Sequence, residues 1–146
     1  MSGQTRRLLL VGLGNPLREH SRHNCGKYVV DHIADILKFR WSTHKKINGE
    51  VANGSIILTP VEDIPKPGSK SKLAESSEPV KSDQAKVENR VETWLLKSNE
   101  FMNLNGLSVR SALKTLNIKA SDMFVFHDDM DVDLGKFKLK TRGSPK

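Results

Sequence analysis

The run "LLLVGL", Leu8 to Leu13, cut off by Gly14-Asn15-Pro16, narrows the folds open to this chain more than any other segment. A short, continuous apolar run that ends in turn residues suits a strand covered on both faces, as in an α/β sheet. Two Arg ahead of it give a superficial likeness to a signal peptide. The run is too short for that and meets the turn without a polar spacer, so a first β-strand is the better reading.

From Asn24 the period changes. Val29, Val30, Ile33, Ile36 and Leu37 recur at helical spacing, with Asn24 as N-cap. "INGEVANGSIIL" reads as paired strands with a type I′ turn at Asn53-Gly54. "VETWLLK" is a further strand, and Asn105-Gly106 opens a helix in which Val109, Leu113 and Leu116 share a face. "MFVFHDD" reads as a buried strand that meets acids at its carboxyl end. In "GKFKLK", alternation sets Phe137 and Leu139 against Lys136, Lys138 and Lys140 on a last strand. The order β-α-β-β-β-α-β-β predicts an α/β fold, with a mixed, mostly parallel sheet flanked by helices, in a single domain over residues 1–146. Residues 60 to 90 break the pattern: four of the six prolines lie there among Ser, Lys and Glu. A flexible, solvated insert is expected, since so little apolar surface cannot offset the entropy of ordering it.

Composition limits the function classes. Apolar residues make up 36% and charged residues 28%; 24 Lys and Arg against 17 Asp and Glu give a formal charge of +7. This balance favours polyanionic partners, nucleic acid first and anionic membrane second. No apolar run approaches the length of a membrane helix, so no membrane partner is expected. A single cysteine, Cys25, excludes an internal disulfide framework and a Cys-based zinc site, and fits a reducing compartment.

Open α/β sheets form their sites outside the carboxyl ends of strands. The first strand delivers Asn15 and, one loop later, His23, with Arg18 and Arg22 nearby; "SNEFMN" delivers Asn103; "MFVFHDD" delivers His127, Asp128 and Asp129. A His held by an Asp has a defined tautomer, and its free nitrogen can take a proton from water. Asn amides can donate to a developing oxyanion. With no Gly-x-Ser-x-Gly elbow, these groups suggest direct attack of water on an activated acyl bond. Three rivals are weaker. His20-x-x-His23 with Asp128 or His127 could hold a metal but lacks the His-Glu-x-x-His signature. "VGLGNP" lacks the third glycine of a dinucleotide loop. Cys25 beside His23 is read as a small buried helix residue, not a thiolate. The ending "GKFKLKTRGSPK" carries five Lys or Arg and no acid, a row suited to phosphates or a Lys-guarded edge strand.

Taken together, "VGLGNP", "SRHNCG", "FMNLNG" and "FHDDMDVDLGKFKLK" resemble, in order and spacing, the bacterial-type peptidyl-tRNA hydrolases. The resemblance covers the chain apart from the insert. It implies a monomeric, cytoplasmic esterase (mitochondrial as the alternative) that uses no metal and no cofactor and frees tRNA from peptidyl-tRNA. By position it makes His23 the catalytic imidazole and Asp128 the acid that orients it. It assigns Asn15, Asn103 and Met102 to substrate binding, and Lys140 to a tRNA phosphate. "LREHS" stands where the family has Gly and Tyr, and "KSNEFMN" where it has Thr before Phe-Met-Asn. The insert is of a kind that some fungal-looking members carry. In the family the segment resembling "RGSPK" is followed by Gly-His-Asn-Gly, helices and another strand. The chain is therefore expected to be a C-terminally truncated member, with a non-catalytic tRNA-binding or inert fragment as the alternative.

Overall fold

The computed structural model describes residues 6–17, 21–58 and 90–141. The insert reading for 60–90 lies outside them, except for Arg90, the first residue of a strand. Strand β1 (Arg6–Gly12) leads through a 3-10 turn (Arg22–Asn24) into helix α1 (Cys25–Leu37). Strands β2 (Ser42–His44), β3 (Gly49–Ile57) and β4 (Arg90–Ser98) follow. A second 3-10 turn (Met102–Leu104) opens helix α2 (Asn105–Leu116), and strand β5 (Met123–Phe126) comes last.

The five strands are ordered β2-β3-β4-β1-β5. β1 runs parallel to both β4 and β5, while β3 is antiparallel to β4 and to β2. All the strands but β3 therefore point one way, and the mixed α/β architecture expected from the sequence is the one observed. In register, Gly12 lies opposite both Lys97 and Phe126, so the carboxyl ends of β1, β4 and β5 form one rim.

Alternation along the strands divides the core. Leu9, Val11, Val51 and Leu96 pack with Ala112, Leu116 and Ile118 on the α2 face. Leu95 and Ala52 meet Ala34 on the α1 face, with Leu10, Ile33 and Phe39 around them. Full burial of each leucine contributes about 1.5–3 kcal/mol. Across the α1 face, Lys97 bonds Asp31 of α1 (2.8 Å) and Glu50 of β3 (3.0 Å), and its ammonium lies 4.2 Å from the centre of the Trp41 ring. Burial works against its charge, but the two carboxylates more than offset this and raise its pKa.

Four local expectations change. Asn53-Gly54 makes no turn: β3 runs straight through it, and the hairpin turns at residues 45–48, where Asn48 has φ 53°. Gly54 instead leaves room for the Phe39 ring, since a Cβ there would lie 2.1 Å from ring carbon Cε1. Asn24 does not cap α1 with its side chain; Ser21 caps the preceding turn by accepting from the His23 amide. The buried line of α1 is Gly26, Val30 and Ala34, while Val29 and Ile36 are exposed, because small residues let the helix approach closely. Among the described residues β5 pairs with β1 alone and leaves Phe124 and Val125 half exposed, so it is not a buried strand.

The last predicted strand is also absent: residues 136–140 pair with no strand among the described residues. A turn closed by the Lys136 amide on the Asp133 carbonyl, with Gly135 at φ 77°, precedes them. Alternation alone cannot make a strand without a neighbouring ladder. Phe137 and Leu139 accordingly stay exposed.

At Gly26 helix and sheet meet backbone to backbone. A Cβ there would fall 2.1 Å from the Phe126 carbonyl oxygen and 2.8 Å from Leu13 backbone atoms, none of which can swing aside. Gly26→Ala should therefore lower stability by about 1–3 kcal/mol, the usual cost of overpacking. Urea unfolding followed by circular dichroism measures it, and an unchanged midpoint would contradict the close approach.

Candidate functional site

Phe126 ends β5, and its carbonyl accepts the Leu13 amide at 3.0 Å. His23 lies three residues before Gly26, and Asp128 two residues after Phe126. The contact that brings Gly26 onto Phe126 thus brings these two side chains together. His23 Nδ1 lies 2.6 Å from Asp128 Oδ2. An ionised carboxylate only accepts, so the neutral ring donates from Nδ1 and its Nε2 carries the lone pair. Nε2 has no hydrogen bond among the described residues, and the His23 side chain is 55% exposed against 25% for Asp128. The pair presents a base to water with its tautomer fixed from behind.

Asn15 sits at the mouth of β1. Its Oδ1 accepts the Met102 amide at 2.8 Å, which orients the carboxamide and leaves the Nδ2 hydrogens without a partner among the described residues. Asn24 holds the Asn15 backbone at both ends: its Oδ1 accepts the Asn15 amide (2.7 Å) and its Nδ2 donates to the Asn15 carbonyl (3.2 Å). Asn103 follows Met102 on the second 3-10 turn and is exposed, with no hydrogen bond to the other candidates. The structure therefore joins His23 to Asp128 and Asn15 to Met102, and sets Asn103 beside the second pair. Arg18 and His20 lie outside the described residues.

Lys140, expected on a basic strand, donates instead to Asp129 Oδ2 at 2.5 Å. Lys136 likewise bonds Asp133 at 2.8 Å. Two of the three ammonium groups expected in a row are thus held in ion pairs with acids of the preceding loop. The hydrogen bond from Lys140, helped by the Asp131 amide, holds the Asp129 carboxyl below its ordinary range, and Asp129 raises Lys140 in turn.

Cys25 is half buried, and burial first, then the Asp128 charge, raises its thiol pKa against a smaller opposing effect of the Gly26 amide. The thiolate is disfavoured, which argues against cysteine chemistry. Among the described residues, no group of three His, Cys, Asp or Glu side chains is placed to hold a metal. Nor is any helix among them long and apolar enough to cross a membrane.

The sequence reading missed what three residues bond: Asn24 was read as an N-cap, Asn105 as the start of a helix, and Asp129 as one of the polar groups that follow β5. Both Asn24 and Asn105 stand at helix starts, but spacing does not say what a buried amide will bond.

The chain matches the sequence profile of a family described as peptidyl-tRNA hydrolase over residues 9–67 and 67–146. A peptidyl-tRNA hydrolase of Rickettsia africae is 35% identical to it over 138 residues, 93% of this chain and 57% of that protein. One from Xanthomonas oryzae pv. oryzae is 33% identical over 137 residues, 92% of this chain and 54% of that protein. The crystal structure of a peptidyl-tRNA hydrolase from Acinetobacter baumannii superposes with a TM-score of 0.60 at 24% identity, covering 91% of this chain and 53% of that one. The chain spans little more than half the length of the relatives it matches.

The Asp129–Lys140 pair has a definite pH window. A depressed carboxyl contributes above its unfolded pKa and loses that contribution as pH falls through its folded value; a raised lysine loses its own only as pH rises through its folded value. The contact should thus persist through neutrality and weaken in acid. In Lys140→Ala, carboxyl-carbon NMR should show Asp129 titrating at higher pH than in the parent. Identical titration curves would remove the pair as the cause.

Proposed function

This chain belongs to the peptidyl-tRNA hydrolase family, and on that premise we propose that it hydrolyses the ester joining a peptide to the 3′ ribose of tRNA, as a monomer in the cytosol. The observation that carries the reading is the 2.6 Å contact between His23 Nδ1 and Asp128 Oδ2, two residues 105 positions apart. A base oriented by a carboxylate, with its other nitrogen open to solvent, suits a reaction in which water is the nucleophile.

In this mechanism His23 Nε2 takes a proton from water as the water oxygen bonds to the ester carbonyl carbon. Asp128 stabilises the imidazolium formed and keeps the ring in its tautomer. Negative charge then collects on the former carbonyl oxygen, where the free Nδ2 hydrogens of Asn15 can donate. Collapse breaks the bond from carbon to the ribose oxygen, which leaves with the proton held by His23. The products are a peptide carboxylic acid and tRNA with a free hydroxyl. No covalent enzyme intermediate is needed, consistent with the raised thiol of Cys25. Asn103 and Met102, on the turn that meets Asn15, line the path of the peptide, and Lys140 exchanges Asp129 for a tRNA phosphate.

A second reading, a tRNA-binding chain without hydrolysis, draws on the formal charge of +7. Incubation with N-acylated aminoacyl-tRNA separates the two. His23→Ala and Asp128→Asn should each slow peptide release by about 10²–10⁴-fold, the usual contribution of general-base catalysis. A chelator should leave the rate of the parent chain unchanged. Equal release by parent and His23→Ala would end the hydrolytic reading; tRNA binding with no release would favour the second.

A further inference from the structure

Asn105 opens α2 and is 2% exposed. Its Nδ2 donates to the Gly14 carbonyl at 3.0 Å and lies 3.5 Å from the Met102 sulfur, while its Oδ1 is buried without a partner among the described residues. Only the amino end of the carboxamide can meet a carbonyl, so this orientation is fixed. A buried acceptor left unpaired is costly, and an apolar side chain of similar volume would avoid that cost. The amide therefore needs an explanation other than packing.

Its bonds supply one. Gly14 immediately precedes Asn15, and Met102, three residues before Asn105, gives its amide to Asn15 Oδ1. Asn24 grips the Asn15 backbone from the α1 side. Asn105 grips the adjoining peptide from the α2 side and touches the residue that binds the Asn15 side chain. The loop is thus held from both helices, with Asn15 Oδ1 committed to Met102 and the Nδ2 hydrogens left over.

We propose that Asn105 is a positioning residue: by tying Gly14 to the first turn of α2, it keeps Asn15 Oδ1 on the Met102 amide, so that the Asn15 Nδ2 donors remain aimed at the substrate. The substrate part rests on the hydrolase reading; the tie itself does not. Misplacing a donor by about 1 Å can cost on the order of 100-fold in rate, so a lost tie should appear in kcat before it appears in tRNA affinity.

Two substitutions of similar size, Asn105→Leu and Asn105→Asp, each remove the donor to Gly14. Hydrogen exchange read by NMR should show Met102 amide protection falling by about 10-fold or more while the β1–β4 ladder amides keep theirs. With N-acylated aminoacyl-tRNA, kcat should fall by about 10–100-fold with KM unchanged. Unchanged Met102 protection with an intact ladder would overturn the inference. So would loss of ladder protection in both variants, which would make Asn105 a residue of the core, and so would a rise in KM alone. If the parent chain released no peptide, the hydrolase reading would fail by itself and the exchange measurement would still decide the tie.

Discussion

A single carbonyl, that of Phe126, fixes the geometry of the candidate site. It accepts the Leu13 amide and sits where a Cβ at Gly26 would be, so β1, β5 and the start of α1 converge on it. The approach is possible because position 26 has no side chain, and it is held by apolar packing on both sheet faces. His23 and Asp128 are carried on short extensions from this junction. Their 2.6 Å separation is thus a consequence of helix–sheet packing and needs no long lever from either loop. A base mounted this way pays its ordering entropy largely in folding, which is how a rigid scaffold preorganises an exposed side chain.

The same junction explains what could be read from residues alone. β1 was legible because a strand covered on both faces must be continuously apolar, and Leu9 and Val11 are fully buried. The pairing of His23 with Asp128 was legible because strand carboxyl ends collect polar groups in this architecture. The β3 turn was not, because Asn-Gly has the same local preference whether it turns or passes under an aromatic ring; Phe39, 15 residues earlier in the chain, decides the matter. The last strand failed for a related reason. Alternation in "GKFKLK" describes a ribbon with two faces, but a ribbon becomes a strand only when a ladder partner is beside it. The roles of the buried amides Asn24 and Asn105 were hidden too, since hydrogen-bond partners 9 and 91 residues away leave no trace in local spacing.

A formal +7 invites the picture of a bare basic ridge. Around the rim, however, three lysines are already engaged: Lys140 with Asp129, Lys136 with Asp133, and Lys97 with Asp31 and Glu50. A phosphate arriving at Lys140 would replace a carboxylate instead of meeting an unsatisfied ammonium. The exchange swaps one anionic acceptor for another, so its net gain is smaller than a bare lysine would give, and the displaced Asp129 must be rehydrated. Counterion release, which makes nucleic-acid binding steeply salt-dependent, counts only cations that are free to neutralise phosphates. Internal pairing therefore lowers the number of effective contacts below the number of lysines. Orientation, not charge density, is then what this rim offers a polyanion: an ammonium held beside Asp129, one residue from the carboxylate that steers His23.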